Sequence, residues 1–107
     1  MNEFFIGGTR DMDAKFRPGR VVATPGALDA LAASGQTFDF FLDKHLSGDW
    51  GEVDAEDQKA NDQALLDGGR LLSSYRTLKG VVVWVLTEAE DDDGQRASTC
   101  LTTPGEY

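Results

Sequence analysis

The sequence predicts a single α+β domain in which three short helices are followed by a three-stranded antiparallel meander. Two observations predict this fold: apolar residues recur at helical spacing between residues 25 and 67, and the period changes to two from Arg70 onward. A length of 107 residues suits one domain. We expect residues 20–107 to form it and residues 1–19, which show no sustained period, to form an irregular N-terminal arm.

The helical half of the chain carries recognisable start and stop residues. Thr24 followed by Pro25 predicts the start of a first helix, directly after a short candidate strand at residues 20–23. Asp54 predicts the start of a third helix, which Gly68 ends. Thr37 is the expected cap of the second helix, and the apolar stripe of that helix follows the i, i+3, i+4, i+7 pattern: Phe38, Phe41, Leu42 and His45.

The C-terminal part alternates as strands do. Leu71, Ser73 and Tyr75 fall on one face of the first predicted meander strand. The run from residue 81 to 87 is apolar on both faces, which predicts a central strand. The threonine-rich segment 96–102 is predicted to form the edge strand, and the short strand at 20–23 is an optional addition to this sheet.

Negative charge is concentrated in the middle of the chain. The formal net charge is −9, and residues 37–69 hold nine acids against Lys44 and Lys59. Such a surface repels phosphate backbones and attracts basic partners, although an acidic solvated helix face also serves solubility alone. We expect the binding residues to be the acids at the start of the third helix together with an aromatic on the polar face of the second: Asp49, Glu52, Asp54, Glu56, Asp57, Asp62 and Phe40.

No sequence motif indicates an enzyme. The phosphate-binding G-x-x-x-x-G-K-[ST], the nucleophile elbow G-x-S-x-G and the dinucleotide G-x-G-x-x-G are all missing from the sequence. The segment Asp91–Gly94 does not fit a calcium loop, because Cys100 would fall where a carboxylate is required, so an acidic turn is the better interpretation. We therefore expect no catalytic residue, no metal and no cofactor.

Two alternatives stay open. A small enzyme could be centred on His45 and Asp49, with Ser47 or Cys100 as nucleophile, although a packed histidine and a small core cysteine are the simpler interpretations. The element order also matches a winged-helix regulator of nucleic acid. The helix that would enter the groove carries five acids and one lysine, however, so we expect no direct nucleic-acid binding.

The stretches "GRVVATPGALDAL", "KHLSGDWGEVDAEDQKAND", "GRLLSSYRTLKGVVVWVLTEAE" and "LTTPGEY" resemble a family of short uncharacterised bacterial proteins. Members of that family are carried on plasmids and integrated elements, and some bear the label of a type I restriction methylase subunit. The resemblance implies a mobile-element setting and carries over no catalytic residue. A methylase would need a cofactor-binding fold and a D/N-P-P-Y/F loop that this chain lacks.

Together these patterns predict a non-catalytic, acidic interaction protein of a bacterial mobile element. Its expected partner is a basic protein surface, which it would bind as a DNA mimic or counter-defence factor. A single cysteine and the lack of a signal peptide or long apolar run favour a cytoplasmic protein without membrane contact. A homodimer formed through an exposed strand and Phe40 is also compatible with the sequence.

Overall fold

The computed structural model describes residues 4–7 and 14–107, and these residues form one mixed sheet with helices packed on it. The elements, in chain order, are β1 (Phe4–Gly7), β2 (Arg20–Ala23), α1 (Pro25–Ser34), α2 (Phe38–Leu46), α3 (Ala55–Asp67), β3 (Leu71–Arg76), β4 (Val82–Thr87), β5 (Ser98–Thr102) and a short 3-10 helix (Pro104–Glu106). The α+β class and the three helices are confirmed.

The sheet is larger than the predicted meander. Its strand order is β1-β2-β5-β4-β3. The last three strands pair antiparallel as expected, and the sheet continues because β2 pairs with β5 in parallel and β1 pairs with β2 antiparallel. The prediction that β5 is an edge strand was therefore wrong. A strand's own sequence does not specify its neighbours, and the Thr99 hydroxyl of β5 is buried between Thr87 of β4 and the Pro18 carbonyl.

The expected irregular arm, residues 1–19, is only partly described. Residues 4–7 of this segment form β1, whereas residues 14–19 have no regular structure. Residues 1–3 and 8–13 lie outside the described residues. The proposed boundary between arm and domain at residue 20 stays a prediction.

Helix ends follow the local chemistry that the sequence suggested. The Thr24 hydroxyl accepts a hydrogen bond from the Ala27 amide at 3.3 Å, and Asp54 accepts from the Asp57 amide at 2.8 Å. Gly68 ends α3 in the left-handed conformation with φ of 83°. Thr37 occupies the N-cap position of α2 as predicted, although its side chain makes no cap hydrogen bond.

The main core lies between one face of the sheet and helices α1 and α2. The predicted stripe of α2 is buried there, with Phe41, Leu42 and His45 at 2% exposure or less. The apolar partners come from α1 and from the inner positions of the strands: Ala27, Ala30, Leu31, Val21, Ala23, Val83, Val85 and Leu101. A second, smaller cluster beneath α3 contains Trp50, Ala64 and Leu71.

The outer edge of β3 is already occupied. The Asn61 side chain of α3 donates to the Leu72 carbonyl at 2.8 Å and accepts from the Leu72 amide at 3.0 Å. The next outward-facing residue, Ser74, bonds through its amide to the Trp50 carbonyl and through its carbonyl to the Glu52 amide. A second copy would have to displace these bonds before pairing with β3 at Leu72 and Ser74.

No helix among residues 4–7 and 14–107 has the length and apolar character to cross a bilayer.

Candidate functional site

The first acidic residues of the predicted site lie in the loop between α2 and α3 and are ion-paired. The Asp49 carboxylate lies 3.6 Å from the Lys44 ammonium, and the Glu52 carboxylate lies 3.3 Å from the Arg76 guanidinium. All four side chains are substantially exposed, so each pair contributes at most about 1 kcal/mol to stability. These two acids are thus partly neutralised within the molecule, which lowers their charge toward a partner.

The next three acids lie at the start of α3. Asp54 caps the helix through the Asp57 amide, and Glu56 and Asp57 occupy the first turn, where the positive end of the helix dipole favours carboxylates. All three side chains are exposed. Among the described residues, no cation pairs with the carboxylates of Glu56 and Asp57, so these two offer unshielded charge.

Asp62 has a structural contact as well as an exposed position. Its carboxylate accepts a hydrogen bond from the Trp50 indole N–H at 3.0 Å. Trp50 is 5% exposed, so its indole packs into the core while Asp62 satisfies its N–H. Asp62 therefore links the loop between α2 and α3 to α3 itself. Because successive residues of a helix are rotated by about 100°, the charge of Asp62 lies on a different side of α3 from the charge of Glu56.

A second acidic segment, which the sequence analysis treated as a separate turn, adjoins the far end of α3. The Glu90 amide donates to the Gly68 carbonyl at 2.8 Å, so the loop from Glu88 to Asp93 lies beside the C-terminal end of this helix. Asp91 shapes that loop by accepting from the Asp93 and Gln95 amides. The predicted meander already implies this proximity, because antiparallel pairing brings the end of β4, which precedes this loop, next to the start of β3, which follows α3.

We call the resulting surface the acidic edge. It comprises the exposed carboxylates at both ends of α3 and on its outer side: Asp49, Glu52, Asp54, Glu56, Asp57, Asp62, Asp67, Glu88, Glu90, Asp91, Asp92 and Asp93. It combines residues 49–67 with residues 88–93, and the segment between them supplies β3 and β4.

Phe40 borders the acidic edge through Lys44. The Phe40 ring is 49% exposed, packs edge-on against Phe41 and has the Lys44 ammonium 5.1 Å from its centroid. The same ammonium pairs with Asp49. The structure thus places the predicted aromatic contact next to the predicted acids, with a cation between them.

His45, the centre of the enzyme alternative, is fully buried. Its Nδ1 lies 2.6 Å from the Ser73 hydroxyl and its Nε2 lies 2.8 Å from the Thr87 hydroxyl. Asp49 is exposed and pairs with Lys44 instead, and the Ser47 hydroxyl bonds the Lys44 carbonyl. In the part of the chain that the structure describes, the imidazole nitrogens thus contact the buried hydroxyls of Ser73 and Thr87, and neither Asp49 nor Ser47 is their partner.

The hydrogen bonds around His45 define its tautomer. Thr99 donates its only hydroxyl proton to the Pro18 carbonyl at 2.9 Å, so it accepts from Thr87, whose oxygen lies 2.6 Å away. Thr87 must then accept from Nε2–H of His45, and Nδ1 accepts from Ser73. Burial, and secondarily the charge of Arg96, lowers the pKa of His45 to about 3, so the ring is neutral at physiological pH.

Arg96 is a buried cation that the sequence analysis missed. Its Nη1 donates to the carbonyls of Gly69 at 2.6 Å and Glu88 at 2.9 Å, and its Nη2 donates to the Ala64 carbonyl at 3.2 Å. Glu90 lies 3.8 Å away as its counter-charge. Because its partners are backbone carbonyls from separate segments, no local sequence pattern indicates that this arginine is a buried hydrogen-bond donor. We call His45, Ser73, Thr87, Thr99 and Arg96 the buried polar centre.

Cys100 lies on the opposite face of the sheet from His45. It is partly exposed and lines a cavity of about 340 Å³ together with Arg70, Leu86 and Tyr107. Arg70 donates a hydrogen bond to the Tyr107 hydroxyl across this cavity, and the Tyr107 ring packs edge-on against Trp84. The sheet therefore separates the Cys100 thiol from the His45 imidazole.

Comparison with known proteins gives no relative: no family model, no curated protein and no solved structure matches the chain.

Proposed function

We propose that this protein is a non-catalytic interaction protein of a bacterial mobile element that binds a basic protein surface through its acidic edge. The observation that supports the proposal best is the junction between the Glu90 amide and the Gly68 carbonyl. This hydrogen bond places the carboxylates of residues 88–93 at the C-terminal end of α3, whereas the carboxylates of residues 49–57 lie at its N-terminal end. Complementary charge accelerates encounter and selects partners, which is the role that such an edge suits.

The proposal extends to imitation of DNA. From Asp54 to Asp67 the helix rises about 1.5 Å per residue, or about 20 Å in all, which is about the length of six base pairs. A basic groove that normally holds phosphates would meet carboxylates over a comparable distance. The setting in a mobile element rests on the family resemblance of the sequence, and a DNA-binding defence or replication factor is the corresponding partner.

The test uses three variants with the same change in charge. Glu56→Lys and Asp92→Lys each alter one end of the acidic edge, and Asp29→Lys alters an exposed acid on α1 as the matched control. Immobilised proteins capture partners from bacterial lysate at low salt, and the captured proteins are identified by mass spectrometry. We expect both edge variants to lose the same basic partner, which Asp29→Lys retains, and we expect moderate salt to release it.

The DNA-mimic extension is tested separately with the purified partner. Wild-type protein should displace duplex DNA from it, and Glu56→Lys should displace the duplex several-fold less well than Asp29→Lys. Equal capture by all three variants would contradict the acidic edge as the binding surface. Capture without displacement of DNA would contradict only the mimicry.

A further inference from the structure

The structure also contains a basic cavity on this strongly acidic molecule. It has a volume of about 490 Å³ and lies between the segment 15–19 and the loop that ends at Arg96. Of the residues that the structure describes, three cations line it, namely Lys15, Arg17 and Arg96, against one carboxylate, that of Glu90. The cavity is thus net positive, whereas the whole chain carries −9. Its volume is in the range of small-molecule sites.

Two of these cations are available to a ligand. Lys15 and Arg17 are exposed, and neither has an ion-pair partner among residues 4–7 and 14–107. Arg96 differs, because its guanidinium is held by backbone carbonyls and Glu90. Arg96 therefore supplies background charge, and direct contact falls to Lys15 and Arg17.

The backbone that carries these two side chains is fixed at several points. The Lys15 amide donates to the Leu46 carbonyl at 2.8 Å, and the Pro18 carbonyl accepts from the Thr99 hydroxyl. Gly19 has φ of 67°, and a Cβ placed there would lie 2.2 Å from the Arg96 carbonyl oxygen. Because this close approach leaves little room for the segment to move, the entropic cost of positioning the cations is reduced before binding.

The remaining walls are partly apolar. Phe16 and Leu65 line the cavity, and the Phe16 ring packs against the Arg96 guanidinium at 5.7 Å. Gln95 adds an amide to the rim. A ligand that matches these features carries two negative charges at one end and an apolar group at the other.

From this geometry we propose that the cavity binds a small phosphate monoester, with the phosphate on Lys15 and Arg17 and the organic group against Phe16 and Leu65. Arg17 contributes a fork of donors that suits phosphate oxygens, and Lys15 contributes a compact charge. The cavity shares Glu90 with the acidic edge, but the two proposals rest on different binding residues, so failure of one leaves the other in place.

Phenyl phosphate is the probe, titrated at low ionic strength while backbone amide shifts are followed by NMR. We expect saturable shifts at Phe16, Gln95 and Arg96, and we expect inorganic phosphate to bind more weakly because it lacks the apolar group. Lys15→Gln and Arg17→Gln should each weaken binding about tenfold. Both replace exposed side chains, and unchanged unfolding midpoints would show that the fold is intact.

Lys79→Gln is the matched control, because Lys79 is an exposed cation in the β3–β4 turn at the other end of the strands. Equal weakening by this variant would overturn the site in favour of general charge attraction. Absence of shifts at about 10 mM phenyl phosphate would also overturn it, since the implied binding energy would be below about 3 kcal/mol. Binding of a 5′-phosphorylated oligonucleotide without binding of phenyl phosphate would contradict the small-ligand proposal and support a nucleic-acid site.

Discussion

The buried polar centre and the acidic edge use polar groups in opposite ways. At the buried polar centre the hydroxyl and ring donors from Ser73 to Thr99 each have one acceptor, and the Pro18 carbonyl orients this series. On the acidic edge most carboxylates face water. Their partners are mainly exposed cations or helix-cap amides, apart from the buried Trp50 indole at Asp62 and the buried Arg96 at Glu90. We infer that substitutions at the buried polar centre change stability, whereas substitutions on the acidic edge change binding at little cost in stability.

The largest effect is expected at Arg96. Arg96→Ala leaves the carbonyls of Gly69, Glu88 and Ala64 without their shared donor and removes the charge beside Glu90. We expect the free energy of unfolding to fall by about 3–5 kcal/mol, because three carbonyls lose a charged hydrogen-bond donor at once. Urea unfolding at pH 7 measures this change.

Arg76→Ala is the control, since Arg76 makes an exposed pair with Glu52. Its expected cost is below about 1 kcal/mol. Similar losses for both arginines would contradict the distinction between the two regions, because burial of the donor would then have no energetic consequence.

A second prediction concerns the pH dependence of stability at His45. The pKa of this residue is about 3 when folded, against about 6.5 when unfolded. Below pH 6.5 the unfolded state binds a proton that the folded state excludes, so the contribution to stability is complete above pH 6.5 and is lost as pH falls toward 3. Between pH 7 and pH 5 we expect a loss of about 2 kcal/mol from this residue.

Comparison with His45→Gln isolates that loss, because the variant lacks the imidazole and keeps every other ionisable group. The variant should be less stable at pH 7 but should lack the additional decline of wild type. NMR of the imidazole nitrogens gives a second measurement that does not depend on the variant's folding: the ring should be neutral with the proton on Nε2 at pH 5. A protonated imidazole at that pH would refute the assignment.

The sequence predicted those features whose determinants lie close together in the chain. Helices begin at Thr24 and Asp54 and end at Gly68 through hydrogen bonds to residues three or four positions away. The spacing of Phe41, Leu42 and His45 predicted a buried helix face. The position of β5 within the sheet depends on pairing with β2, more than 70 residues away. Long-range pairing of this kind leaves no mark in the period of either strand.

The candidate site divides in the same way. The concentration of acids in the sequence indicated one half of the acidic edge, at residues 49–62. The other half, at residues 88–93, follows from the order of the meander strands, which brings the loop after β4 next to the start of β3. Arg96 could not be found, because an arginine in an acidic loop has the same local pattern whether it is exposed or buried. The segment Lys15–Arg17 carries two cations, but the sequence does not indicate their cavity, because it is formed with loop residues about 80 positions away.

The smallest predicted effect is at Asp62, which belongs to the acidic edge by charge and supports the core by contact. Asp62→Ala removes the acceptor of the buried Trp50 N–H, and we expect a loss of about 1–2 kcal/mol in the free energy of unfolding. Asp62→Asn keeps an acceptor oxygen and should lose less than about 1 kcal/mol. Glu56→Gln removes the same charge from the acidic edge and should change stability by about 0.5 kcal/mol or less. Urea unfolding, followed by far-UV circular dichroism, measures all three. Equal stability of Asp62→Ala and Glu56→Gln would mean that Asp62 is an ordinary surface acid and that Trp50 finds its acceptor elsewhere.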